Sequence, residues 1–409
     1  MQQKALYRSV TAVLAATGLA TGLAVSLAGS AQAAVAWPAQ VFAPYVDTGL
    51  SNTTLTTVAA DYGTKYFTLA FVDGAGCQWS LPNQSGWQSQ ISSLQAEGGD
   101  VSISFGGYTT DTNGTDLGAT CSSASAMATQ VESVVTTLGV THLDFDIESS
   151  ELTNSTDYMR TAQALALVRS WASSNGESLS ISYTLPVLSS GLTSDGVSVL
   201  NAAASSGFTP NVVNLMTMDY GSSGTEMGTA ADQAIDSTAP QVANALGVST
   251  STAYGMLGNT PMIGQNDSSG EIFTLADAST VESYAASKGI AMVSFWSEGR
   301  DNGGCPGQTS ASSTCSGVSQ NSGQFTQIFQ AFTGGASSTG SGTPSATSTP
   351  TATSTGSSGG SCAAAWSSSA TYVSGNEVSY NGDNWTANQW NYNEVPGGAS
   401  GAWNNDGAC

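Results

Sequence analysis

The sequence predicts an α/β protein built on a (β/α)8 barrel. Two observations carry that expectation. Between residues 34 and 333, strand-like and helix-like stretches alternate, and eight such β units with covering helices suit a barrel of roughly 300 residues. Within that span, Leu143-Asp144-Phe145-Asp146-Ile147-Glu148 alternates apolar and acidic residues with the period of a β-strand, and helix-like stretches flank it. That is the setting of a parallel strand covered by helices on both faces. A doubly wound open sheet is the competing architecture. No glycine-rich phosphate loop follows the first strand, which counts against its nucleotide-binding version.

In chain order, Lys4 and Arg8 precede an apolar run over residues 10–28 and the small-x-small pattern Ala31-Gln32-Ala33. This predicts a secretory signal peptide, residues 1–33, and an extracellular protein. No later stretch is long and apolar enough to span a bilayer. Barrel strands are expected at Gln40–Val46, Tyr66–Val72, Val101–Phe105, Val140–Ile147, Leu179–Leu185, Val212–Met218, Ala253–Met256 and Ala291–Trp296. Helices are expected among the stretches Gln84–Gln95, Ala124–Leu138, Asp157–Ser174, Ala230–Leu246 and Ala276–Lys288. Residues 334–360 are nearly all Ser, Thr, Gly and Pro, a composition that buries no core and predicts a flexible spacer. It separates the barrel, residues 34–333, from a small unit, residues 361–409.

Composition narrows the partners. A formal charge of −22 repels nucleic-acid phosphates and anionic membranes, so neither is expected as a partner. Few residues are charged while Ser, Thr, Gly and Asn are plentiful, which suits a neutral, hydroxyl-rich ligand. Six cysteines in an exported chain predict disulfides, and order and spacing favour Cys77–Cys121, Cys305–Cys315 and Cys362–Cys409 among the possible connectivities. No cysteine pair has zinc spacing and there is one histidine, His142, so no metal or cofactor is expected. The chain is expected to act as a monomer.

On a buried strand, Asp144, Asp146 and Glu148 would share one face. Like charges that close repel, so at least one should hold a proton. Glu148 ends the fourth strand, Asp219 and Tyr220 the sixth and Trp296 the eighth. Barrel active sites lie at these C-terminal ends, so the four groups should converge on one mouth.

Those residues resemble a known family. Thr141-His142-Leu143-Asp144-Phe145-Asp146-Ile147-Glu148 is similar to the DxxDxDxE signature of the family 18 glycoside hydrolases, the chitinases, with Thr141 in place of the first Asp. Ser104-Phe105-Gly106-Gly107 resembles that family's third-strand SxGG motif, Met216-Thr217-Met218-Asp219-Tyr220 its sixth-strand motif, and Ser294-Phe295-Trp296-Ser297 its eighth-strand motif. The resemblance implies chitin and N-acetylglucosamine oligomers as substrates. It assigns Glu148 as acid and then base, Asp146 as the partner of the substrate's acetamido group, and Asp144 as a support that shares a proton with Asp146. Met216, Asp219, Tyr220 and Trp296 would bind substrate, with Trp296 as a stacking floor. Gly106 and Gly107 would leave room for the backbone. Many family members carry tyrosine at the place of Met218, and Tyr220 is expected to take over its contact. Little beyond a loop and one helix fits between Ile263 and Ile290, which implies a shallow cleft and internal cutting. Endo-β-N-acetylglucosaminidase activity on glycoprotein glycans and non-catalytic chitin binding are the rival readings.

The small unit holds Trp366, Trp385, Trp390 and Trp403 with Tyr372, Tyr380 and Tyr392, more aromatic surface than so small a core can bury. Ala365-Trp366, Val378-Ser379-Tyr380-Asn381-Gly382, Trp385-Thr386-Ala387 and Pro396-Gly397 resemble carbohydrate-binding module family 5/12, a small β-rich chitin-binding fold. By that resemblance Trp390 and Trp366 would contact chitin, while Trp385 and Tyr380 would be core. Relatives usually show two adjacent aromatics where this chain has Gln389-Trp390.

Overall fold

The computed structural model describes residues 37–50, 53–222, 224–333, 362–367, 371–372, 377–387, 391–392, 395–398 and 402–409. Residues 1–33, expected as a signal peptide, residues 334–360, expected as a spacer, and Gln389 and Trp390 lie outside the described residues.

Short runs of β-branched and aromatic residues form the strands. β1 (Val41–Phe42) and β2 (Tyr45–Asp47) are two halves of one barrel strand. Pro44, which has no N–H for the ladder, interrupts it. Then come β3 (Tyr66–Val72), β4 (Asp100–Gly106), β5 (His142–Asp146), β6 (Ser180–Leu188), β7 (Gly191–Leu192), β8 (Val212–Met216), β9 (Leu257–Thr260), β10 (Gly264–Gln265), β11 (Ile272–Phe273) and β12 (Met292–Val293). Parallel pairing runs β2–β3–β4–β5–β6–β8–β9–β12–β1. The split strand closes the ring: Ala43 N–H bonds Val293 O at 3.0 Å on one side, and Pro44 O accepts Thr68 N–H at 2.9 Å on the other. The eight strands that result are the expected (β/α)8 barrel. β7 adds to the end of β6, and β10 and β11 form a hairpin.

The longer helices between strands lay apolar faces against the outside of the barrel. Residues Ala124–Leu138 form the helix expected there, started by Ser123, whose hydroxyl accepts Ala126 N–H, and bury Met127, Val131, Val134, Val135 and Leu138. Leu143, Phe145 and Ile147 meet this layer from β5 and its end, and all are buried. Phe105 and Phe145, paired in register, stack at 4.7 Å. Burying one such ring contributes about 1.5–3 kcal/mol. This outward apolar set forces Asp144 and Asp146 inward.

The seventh strand corrects the expectation. Thr250–Tyr254 is a helix capped by Ser249, and the strand is Leu257–Thr260, not Ala253–Met256. Leu257-Gly258-Asn259-Thr260 contains no apolar run, so periodicity does not reveal it. Buried side chains satisfy it instead: Asn259 Oδ1 accepts Thr217 Oγ1 at 3.0 Å, and Thr260 Oγ1 donates to Asn214 Oδ1 at 2.8 Å.

All three expected disulfides form: Cys77–Cys121, Cys305–Cys315 and Cys362–Cys409. The last joins the two ends of the C-terminal strands. There β13 (Thr371–Tyr372) pairs with β16 (Asn391–Tyr392), while β14 (Glu377–Tyr380), β15 (Asp383–Ala387) and β17 (Trp403–Ala408) form an antiparallel sheet. Tyr372, Val378, Ala387, Ala402 and Trp403 make its small core. Trp385 packs on that core as expected. Trp366 does so too, edge-on to Tyr380 at 5.5 Å, and stays partly exposed. The cause is backbone pairing, since Trp366 N–H bonds Ser379 O at 3.0 Å and draws the ring onto β14. Among the described residues no helix is long and apolar enough to cross a membrane.

Candidate active site

The alternation of β5 delivers its carboxylates to the barrel interior, where neighbouring strands decide their environment. Asp144 is buried and accepts four hydroxyls: Tyr45 at 2.9 Å and Ser104 at 2.7 Å on Oδ2, Ser182 at 2.6 Å and Thr184 at 2.8 Å on Oδ1. Burial pushes its pKa up, and the hydroxyls oppose that shift. Tyr45 keeps its proton for the bond, because burial and the charges of Asp144 and Asp146 raise its phenol.

Asp146 has no such support, and its buried Oδ1 lacks a hydrogen-bond partner. Burial, then Glu148, Asp144, Asp111 and Glu151, hold its pKa well above the usual carboxylate range. Burial and like charge therefore favour a proton on Asp146, while Asp144 acts as the hydroxyl-clamped acceptor. The strand opposite makes way for them. Gly106 pairs in register with Asp146 at φ +89°, and a Cβ there would lie 2.3 Å from Asp146 O. At Gly107, φ +82°, a Cβ would lie 2.7 Å from the Phe71 ring.

Glu148 sits just past the strand end, as N-cap of the helix Ser149–Thr153, and is half-buried. Its backbone N–H donates to Asp111 Oδ2 at 2.7 Å, and Ile147 N–H bonds Thr184 O at 3.0 Å. Its carboxyl is pushed up to about 7 by burial; the charge of Asp219 adds to this, and the Tyr108 N–H, which bonds the carboxylate, opposes it. Asp219 Oδ1 accepts Ser268 N–H at 2.7 Å.

The open end of the barrel is a cleft of 790 Å³ lined by Tyr45, Phe71, Tyr108, Asp146, Glu148, Met216, Met218, Asp219 and Trp296, among others. Trp296 stacks on Phe71 at 5.6 Å and tilts against Tyr45 at 6.0 Å, so its ring joins an aromatic floor. Asp144, Asp146, Glu148, Met216, Asp219 and Trp296 thus come together as expected. Tyr220 does not. It packs on the hydrophobic core outside the cleft, and its buried hydroxyl has no partner. Asp219 adopts φ 52°, which breaks the alternation of the strand and turns Tyr220 away from the face of Met218.

The cleft and support residues that were not anticipated include Tyr45, Phe71, Tyr108 and Asp111. Tyr45 was legible as a polar aromatic within the first strand. Phe71 offered no signal beyond its strand. Asp111 offered none, because the turn that brings it under Glu148 is not periodic. A smaller cavity of 220 Å³ lies at the opposite end of the barrel, beside Trp37, His142 and Asp144. Its only carboxylate is the one clamped by four hydroxyls, so acid chemistry belongs to the larger cleft.

The cleft therefore presents one reachable acid with a pKa near 7, one buried carboxyl whose pKa is raised and an aromatic floor. That set can protonate a leaving oxygen above a stacked ring.

Comparison with known proteins agrees. Residues 44–278 match the glycosyl hydrolases family 18. A protein of Escherichia coli strain K12 named probable bifunctional chitinase/lysozyme is 36% identical over 321 residues, 73% of this chain and 35% of that one. Endochitinase 11 of Metarhizium anisopliae is 34% identical over 282 residues, 65% of this chain and 53% of that one. The chain thus spans about a third to a half of the length of these curated relatives. The crystal structure of the catalytic domain of a hyperthermophilic chitinase from Pyrococcus furiosus superposes with a TM-score of 0.66 at 30% identity, over 73% of this chain and 96% of that one. The family match and the shared fold lead to one assignment: the chain belongs to family 18 of the glycosyl hydrolases.

Proposed function

We propose that this protein is a secreted chitinase that cuts β-1,4 bonds between N-acetylglucosamine units within the polymer and retains the anomeric configuration. The observation that carries the reading is Glu148, a carboxylic acid raised to about 7 at the mouth of a barrel, in an aromatic-floored cleft. Relatives named as chitinases support the substrate class.

In this reading the sugar stacks on Trp296. Glu148 gives its proton to the glycosidic oxygen as the bond to the anomeric carbon breaks. The oxygen of the sugar's 2-acetamido group attacks that carbon and forms an oxazolinium ion, which is how this family departs from the two-carboxylate scheme. Asp146 accepts the acetamido N–H through its unprotonated oxygen and lies beside the developing positive charge. Asp144 holds negative charge behind it. Glu148, now ionised, takes a proton from water, which opens the ring ion to the β-product. Internal cutting is supported by the open cleft, since only a hairpin and one helix occupy Gly264–Lys288. The C-terminal strands act as a tether to insoluble chitin.

Product analysis on N-acetylglucosamine oligomers, run beside an N-glycosylated protein, tests the reading. Internal cleavage of the oligomers is expected. Release of protein glycans with oligomers left intact would instead make it an endo-β-N-acetylglucosaminidase. Binding of chitin without cleavage of either substrate would make it a non-catalytic chitin-binding protein.

A further inference from the structure

Outside the cleft, next to the strand that carries the acid, three carboxylates converge. Asp111 lies in the helix Tyr108–Asn113, Asp116 caps the helix Leu117–Thr120, and Glu151 lies in the helix Ser149–Thr153 that follows Glu148. One oxygen from each lies within 4.8 Å of the others. The three residues are 0%, 3% and 4% exposed, so water does not solvate their charge.

Acidic clusters alone mean little, but this one carries a second feature. Asp111 Oδ1 and Asp116 Oδ2 are buried and have no hydrogen-bond partner. The sister oxygens are engaged: Asp111 Oδ2 takes Glu148 N–H at 2.7 Å, and Asp116 Oδ1 takes Ala119 N–H at 2.6 Å. These two carboxylates are thus oriented by the backbone through one oxygen and left bare on the other, while Glu151 Oε1 accepts the Thr161 hydroxyl at 2.6 Å. A buried polar atom without a partner asks for an explanation, and an ion is one. The nearby cation does not supply it. Arg160 Nη1 bonds the Gly118 carbonyl and Asp157 Oδ1, not the bare oxygens. Gly118 itself presses on the cluster, since a Cβ there would lie 2.7 Å from Glu151 Oε1 and 3.0 Å from Asp116 Oδ1.

We propose that Asp111, Asp116 and Glu151 form a binding site for one hard divalent cation, calcium or magnesium. The donor set is all oxygen, which suits these ions and not zinc. Oxygens no more than 4.8 Å apart can all be reached by one calcium ion at about 2.4 Å from each. Bound there, the ion covers the bare oxygens. It also ties together the two elements that hold Glu148: Asp111, which positions its N–H, and the helix that continues from it. The site does not depend on which glycan is cut.

The test uses the full-length protein, stripped with EDTA, desalted and titrated separately with Ca²⁺ and Mg²⁺ by calorimetry. Bound metal is counted by elemental mass spectrometry, and thermal unfolding is followed with and without the ion. One equivalent per chain is expected, with a rise in Tm of about 5 °C at hundredfold excess over Kd. The two arms identify the ion. Asp116→Asn and Glu151→Gln should each weaken binding at least tenfold and abolish the Tm response. If neither variant folds, Gly118→Ala, which keeps every carboxylate but crowds the site, should weaken binding in their place. Absence of stoichiometric binding by the wild-type chain overturns the proposal. So does undiminished binding by any folded variant, which would put the ion elsewhere on this acidic protein.

Discussion

The carboxylate of Asp111 accepts the backbone N–H of Glu148 at 2.7 Å, so the loop after β4 holds the acid that β5 delivers. Replacing Asp111 by Ala leaves that N–H without its partner and frees the turn. Misplacing a catalytic group by about 1 Å costs on the order of 10²-fold. Turnover of soluble oligomers should therefore fall by about one to two orders of magnitude, with KM little changed. Asp111→Asn keeps an oxygen acceptor and should recover most of the loss; equal damage by both variants would point to charge instead of positioning.

Glu148→Gln keeps the shape and removes the proton. General acid catalysis is worth about 10²–10⁴-fold, and this group also acts as base, so turnover should fall by at least that range. Binding of oligomers, read by calorimetry, should persist. Substantial activity in the folded variant would remove Glu148 from its role.

The acid must be protonated to act, so turnover should decline as pH rises through about 7, where Glu148 ionises. The negative charge of Asp219 raises that value. Asp219→Asn removes the charge, makes Glu148 easier to ionise and should move the alkaline limb to lower pH. Asparagine tolerates the left-handed backbone at this position, φ 52°. A pH–rate profile at saturating substrate for both proteins decides it, and an unmoved or upward-moved limb contradicts the assignment.

Asp146→Asn removes the group set to hold the acetamido N–H and lie beside the oxazolinium charge. A steep loss of turnover is expected, while the product first formed remains the β-anomer. NMR at early times reads the configuration, and an α-product would rule out attack by the acetamido oxygen.

Truncation after Thr333 should leave rates on short soluble oligomers unchanged and lower the rate on crystalline chitin, because a tether raises local concentration at the surface. Trp390→Ala in the full-length chain should reproduce part of the loss on the solid. Equal rates for all three proteins on solid chitin would deny the C-terminal strands a tethering role.

Local pattern by itself determined much of this protein. The alternation Leu143–Glu148 encodes which side chains face in and which face out, because a strand has a period of two whatever surrounds it. The helix Ala124–Leu138 was likewise legible from its pattern, while order and spacing favoured the three disulfide pairs that form without fixing their connectivity. The seventh strand was not, because its polar residues are stabilised by Asn214 and Thr217 from another strand, not by an apolar run of their own. Tyr220 shares a face with Met218 only if Asp219 is extended; its left-handed φ belongs to a turn whose Ser268 and Glu271 partners lie about fifty residues on. Asp111, Asp116 and Glu151 are ordinary loop and helix acids in one dimension. Only the tertiary fold brings them within 4.8 Å, and only there do burial and mutual charge give them their properties. Period is a property of the backbone and can be read locally. The raised pKa of Asp146, the support under Glu148 and the bare oxygens beside it depend on distances between segments far apart in the chain, so folding had to decide them.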